Sequence, residues 1–213
     1  MKRLRSALLN RKDVVSGRII VNILEKADPN GLMHGIAVAE ITSIIGKQNG
    51  LGKTAQSELW LAGLLHDIGK LGVPSEILAK RDVTKSDIKY IQKHPAIGRF
   101  IADKLFFGGA LGRTIEAHHE RYDGDGYPKA LSGDEIPWDA RTIAIADYYD
   151  AARTAGWFFS HRSHEKVIDE IAEQSGKAFD PNLVEATLKA KSEIQITYDN
   201  IHKASLGELR KWL

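Results

Sequence analysis

Leu59-Trp60-Leu61-Ala62-Gly63-Leu64-Leu65-His66-Asp67, residues 59–67, is an apolar run that closes on an adjacent histidine and aspartate. Leu59, Trp60, Gly63 and Leu64 recur at helical spacing, and Thr54 stands where an N-cap is expected. A His-Asp pair at a helix end can set two ligand atoms around one metal ion. The two oxygens of the carboxylate can also hold different ions.

Helical signals continue on both sides of this run. Upstream, Ile19, Ile20, Ile23 and Leu24 mark a helix over Ser16–Ala27, broken by Asp28-Pro29-Asn30-Gly31. Leu32–Lys47 resumes with Ile36, Ala39, Ile41 and Ile44, before a loop containing Gly46, Gly50 and Gly52. Downstream, Thr84 or Ser86 caps a short helix, and Pro95 opens another through Ile97, Phe100 and Ile101. Leu111–Glu120, Ile136–Ala152, Ser163–Gln174 and Pro181–Lys191 read as further helices. Tyr122–Pro128 cannot be helical, because Gly124, Gly126 and Pro128 fall within it. Strand-like alternation and a βαβ rhythm are absent, so the expected fold is a single all-α domain over residues 16–213. Residues 1–15, with Lys2, Arg3, Arg5, Arg11 and Lys12, read as a basic N-terminal extension.

With 213 residues, 43% hydrophobic and 27% charged, the chain has the composition of a globular protein. A net charge of +2 gives no general argument for binding nucleic acid. The chain has no cysteine, so disulfides and thiolate ligands are excluded and any metal is held by imidazole and carboxylate. No apolar run is long enough for a membrane helix, and a cytoplasmic protein is expected.

Four more ligand candidates sit among the eight histidines. His118-His119 forms a second pair near a helix end, His94 heads a helix, and His34 lies in an apolar helical segment, as does Asp147. Taken singly, each has a plainer reading. A lone histidine on an apolar face is more often a hydrogen-bonded core residue, and a lone aspartate an ion-pair partner or cap. His161, His164 and His202 read as surface or packing residues, and Trp60 and Trp138 as core.

The order of these elements resembles the HD-GYP phosphodiesterases, a branch of the HD-domain phosphohydrolases. The matching motifs are H-D-I-G-K at 66–70, K-H-P-A-I-G at 93–98 and H-H-E-R-Y-D-G-D-G-Y-P at 118–128. I-A-D-Y-Y-D-A ending at Ala151 and F-D-P at 179–181 complete the series, with His34 matching the family's first histidine. The resemblance implies an HD-domain-type helical bundle with a GYP loop. It also implies two divalent metal ions, with iron or manganese suited to the ligand types. His34, His66, Asp67 and Asp147 would hold one; Asp67, His94, His118 and His119 the other, with Asp67 as the bridge. Family members with a third metal use a glutamate four residues before the first histidine. Asn30 stands there, so two metals are expected rather than three.

The implied reaction is hydrolysis of a cyclic dinucleotide, foremost cyclic di-GMP, to linear pGpG or GMP by a hydroxide bridging the metals. Asp67, Lys70 and Asp150 are the expected catalytic side chains: Lys70 meets the phosphate, and Asp150 bonds a ligand histidine or the attacking water. Lys70, Arg121, Tyr127 and Arg153 are the candidate substrate contacts, with Arg121 and Tyr127 equally suited to stapling the loop. A sensory partner domain or a homodimer, in bacterial signal transduction, is the implied setting.

The resemblance breaks after Ala151. The family reads approximately A-L-T-S-D-R-P-Y-R there, with basic residues that bind the phosphates of cyclic di-GMP. Gly156 and Phe159 occupy those positions, leaving Arg153, Arg162 or His161 to compensate. Two other readings therefore stand beside the first: an HD-type phosphohydrolase for another nucleotide, or a low-turnover nucleotide-sensing module.

Overall fold

The computed structural model describes residues 21–23, 25, 28–80, 82–105, 109–154 and 161–209. The basic extension at 1–15 and the positions Gly156 and Phe159 lie outside the described residues. Of the helix expected over 16–27, residues 21–23 and 25 are described and are helical.

The described helices are α1 (Pro29–Gln48), α2 (Lys53–Leu65), α3 (Ser75–Leu78), α4 (Lys85–Ile91), α5 (His94–Leu105) and α6 (Gly109–Ala117). They continue with α7 (Trp138–Arg153), α8 (His164–Glu173), α9 (Pro181–Lys203) and α10 (Leu206–Leu209). Two short 3-10 helices span Ile68–Gly72 and Gly133–Glu135. No strand occurs among the described residues, only an isolated bridge between Ser175 and Phe179. None of the described helices is long and apolar enough to cross a membrane.

Local chemistry accounts for the boundaries. Asp28-Pro29 starts α1 rather than merely breaking what precedes it: the Asp28 carboxylate accepts from Gly31 N at 2.9 Å. Thr84 caps α4 through a reciprocal box with Asp87. Thr54 does not cap α2, which begins at Lys53 after Gly52, in extended conformation and with no side-chain cap. The last long helix is the main departure from expectation. Rather than stopping near Lys191, α9 runs to Lys203, burying Ile194, Tyr198 and Ile201 along one face.

Helix α1 is the central strut. Ile36, Ala37, Val38, Ala39 and Ile41 are all fully buried, so it is covered on every side. One side joins Trp60, Leu64, Leu65, Ile68 and Ile115. The other joins Ile145, Tyr149, Val167, Leu183 and Ile194. Trp60 is buried as expected, its indole N–H donating to Glu40 Oε1 at 2.9 Å, whereas Trp138 is only half-buried against the second cluster. Helix α2 lies close against α1: a Cβ on Gly35 would stand 2.7 Å from the carbonyl oxygen of Leu64. That contact lies one residue from His34 and two from His66, so core packing itself brings the first two histidines together.

Candidate metal centre

Four of the histidines are aimed from behind. His66 lies just past the end of α2, with Nδ1 2.7 Å from Gly63 O. His94, opening α5, has Nδ1 2.7 Å from Ile91 O, and His118, just past α6, has Nδ1 2.6 Å from Ile115 O. On α1, His34 places Nδ1 2.7 Å from Asp150 Oδ2. A ring whose Nδ1–H donates to an oxygen acceptor turns Nε2 the other way. All four Nε2 atoms converge on Asp67.

Two groups result, sharing that carboxylate. His34 Nε2 and His66 Nε2 are 3.2 Å apart, at 3.6 and 3.5 Å from Asp67 Oδ2. Asp147, from α7, adds Oδ1 at 3.2 Å from His34 Nε2 and 3.8 Å from His66 Nε2. On the other side, His94 Nε2 lies 3.1 Å from Asp67 Oδ1 and 3.2 Å from His118 Nε2, which is 4.0 Å from the same oxygen. His119 completes this group. Its Nδ1 lies 4.0 Å from Asp147 Oδ2, and its ring stacks on Tyr127 at 4.8 Å.

These donors fit a cation. Burial holds His118 well below the usual imidazole range, with His119, His66 and His94 adding to the effect. His118 is therefore neutral, its proton facing Ile115, and its free lone pair points at His94 and Asp67. Burial likewise pushes His119 down to about 3. Burial opposes charge on Asp67 and Asp147 too, yet Lys70 and His66 hold Asp67, and His34 and His66 hold Asp147, below the usual carboxylate range. The neutral rings of His118 and His119 beside the charged carboxylates of Asp67 and Asp147 give nitrogen and oxygen donors suited to a divalent metal.

His34 differs. Burial alone would lower it, but Asp147 and Asp150 outweigh burial and push it up to about 10. In the metal-free chain a proton occupies part of this site, and a metal must displace it. Raising the pH removes that competitor, so apparent Mn(II) affinity is expected to climb about tenfold per unit between about pH 6 and 8. Titration calorimetry in buffers of different ionisation enthalpy reads the released proton. A flat profile without proton release would contradict this assignment.

Lys70 closes the rim, its ammonium hydrogen-bonded to Asp67 and half-exposed. Asp150 lies behind His34, with Oδ2 2.7 Å from His34 Nδ1, and is only 2% exposed. Arg121 donates to Asp123 at 2.6 and 3.0 Å. Arg153 is engaged away from the cluster: it donates to Asp199 at 3.3 Å and to Arg162 O, and lies over the Tyr198 ring. Arg153, a candidate substrate contact, thus packs against α9 in this structure. Asn30 is exposed in the first turn of α1.

Two residues have contacts that the sequence reading did not anticipate. Glu120 is buried and accepts from Lys129 N at 2.7 Å and Leu131 N at 3.1 Å, pinning the exit of the loop that carries Tyr127. Glu120→Ala should cost about 2 kcal/mol in a denaturation experiment, because two amides lose a charged acceptor. An unchanged midpoint would count against that role. His202, expected to be an ordinary packing residue, places Nε2 2.7 Å from Asp150 Oδ1. Its signal was the period of Ile194, Tyr198 and Ile201, which carries α9 this far.

The HD domain family model matches residues 18–183, and the chain belongs to that family. It is 34% identical over 186 residues to a cyclic di-GMP phosphodiesterase of Thermotoga maritima, covering 84% of this chain and 50% of that protein. It is 36% identical over 152 residues to a 3'3'-cGAMP-specific phosphodiesterase of Vibrio cholerae, covering 71% of this chain and 35% of that one. An HDG"Y"P protein from Bdellovibrio bacteriovorus shares the fold with a TM-score of 0.62 at 21% identity, covering 82% of this chain and 60% of that one. The chain spans about half, or less, of the length of the curated relatives it matches.

Proposed function

We propose that this chain is the catalytic domain of a cyclic dinucleotide phosphodiesterase, with cyclic di-GMP the foremost substrate and pGpG or GMP the product. The observation that carries this reading is the pair of ligand groups joined through Asp67. His34, His66 and Asp147 would hold one metal with Asp67, and His94, His118 and His119 the second. Iron or manganese suits this ligand set. Bound divalent metal supplies Lewis acidity toward phosphoryl oxygens and acidifies water.

The protein's own groups do the rest. Asp67 and Asp147 supply negative charge that gathers cations, while the neutral rings of His118 and His119 leave lone pairs free for coordination. Lys70, half-exposed beside Asp67, presents a cation to a phosphodiester entering at the rim. Tyr127 holds the His119 ring by stacking and offers an apolar surface beside it. A cytoplasmic setting, a domain covering residues 16–213 and a sensory partner or second copy belong to the same proposal.

A second reading keeps the chemistry and changes the nucleotide. It is favoured by the engagement of Arg153, one of the candidate phosphate contacts, with Asp199 and Tyr198. The relatives' names span the same choice, since one is named for cyclic di-GMP and another for 3'3'-cGAMP. Protein loaded with iron or manganese should be assayed on cyclic di-GMP, its linear product and 3'3'-cGAMP in parallel. Hydrolysis of at least one, lost on chelation and restored by metal, is expected. Turnover that survives chelation would remove the metal from the account, and tight binding without turnover by any loaded form would favour a sensor.

A further inference from the structure

We infer that His202, in the last turn of α9, is a positioning residue for the metal centre, acting on His34 through Asp150. This rests on the reading of His34 as a metal ligand. Asp150 has both oxygens engaged: Oδ2 lies 2.7 Å from His34 Nδ1, and Oδ1 lies 2.7 Å from His202 Nε2. At 2% exposure this carboxylate has little access to water, so its orientation is set by those two rings. A carboxylate behind a ligand imidazole fixes its tautomer and ring angle. Here the carboxylate is itself held by a donor from another helix, giving a chain from the metal-facing Nε2 of His34 through Asp150 to His202.

His202 is itself constrained. Its ring packs on Tyr198 at 4.1 Å, and the Tyr198 hydroxyl lies 3.2 Å from Thr154 Oγ1, just past the end of α7. Arg153 also lies over Tyr198, with its guanidinium carbon 4.8 Å from the ring centroid. Helix α9 therefore does more than complete the hydrophobic core. Its C-terminal turn closes over the back of the metal centre and determines which way His34 faces.

The test is direct Mn(II) binding to the purified chain, measured by calorimetry and metal analysis, with thermal unfolding as the folding control. His202→Ala should weaken the His34-side Mn(II) affinity about tenfold, the low end for loss of an outer hydrogen-bond partner, while the protein stays folded. His202→Gln, which keeps an N–H donor on the same reach, should recover most of that loss. In an Asp150→Ala background, His202→Ala should add little further, because the coupling runs through that carboxylate. Unchanged affinity in His202→Ala, failure of glutamine to rescue, or full additivity with Asp150→Ala would each overturn the inference. If the parent chain binds no Mn(II) at all, the metal reading itself fails, a result separate from any of these.

Discussion

Asp67→Ala is expected to lower hydrolysis by about a thousandfold or more, the largest effect of any single side-chain deletion at this site. One carboxylate serves both ligand groups. Its Oδ1 faces His94 and His118 at 3.1 and 4.0 Å, and its Oδ2 faces His34 and His66 at 3.6 and 3.5 Å. The same oxygen Oδ2 holds the Lys70 ammonium. Removing Asp67 therefore strips a ligand from each side and releases the rim cation. Metal content should fall on both sides together, while helix content stays near that of the parent. Retained turnover within tenfold, or loss of only one metal, would show that Asp67 is not shared.

Gly69→Ala should be the most damaging substitution that touches no ligand. A Cβ at this position would stand 1.9 Å from the carbonyl oxygen of His94 and 2.5 Å from Gly98 N. Both obstacles are backbone, so no side-chain rotation relieves them, and the 3-10 helix after Asp67 must move away from α5. A destabilisation of about 3 kcal/mol or more is expected in denaturant unfolding, at the upper end for overpacking. The displacement also separates Asp67 from His94, so the second ligand group should lose metal even in the fraction that stays folded. Parent-like stability would mean that the contact between the 3-10 helix and α5 is looser than described.

The positions that decide the fold and the ligand set were legible for a physical reason. Helical spacing around Leu59–Leu64 gives the α2 buried face, and Pro95 gives the α5 start, because these signals are local. The converging histidines and carboxylates were picked out by the order of their motifs, since no single histidine distinguishes coordination from ordinary burial. What connects through space was not readable. His202 is far along the chain from Asp150, and only the full course of α9 places them 2.7 Å apart. Arg153 read as a candidate substrate contact, and its pairing with Asp199 and Tyr198 depends on that same helix. Glu120 was hidden inside a motif read for its histidines, although its partners lie only nine and eleven residues further on.

Anomalous scattering from crystals grown with Mn(II) tests most directly whether one carboxylate, Asp67, joins two cation sites. Two peaks are predicted: one among His34, His66, Asp67 and Asp147, and one among Asp67, His94, His118 and His119. A single peak, or two peaks with Asp67 turned away from one of them, would contradict the account.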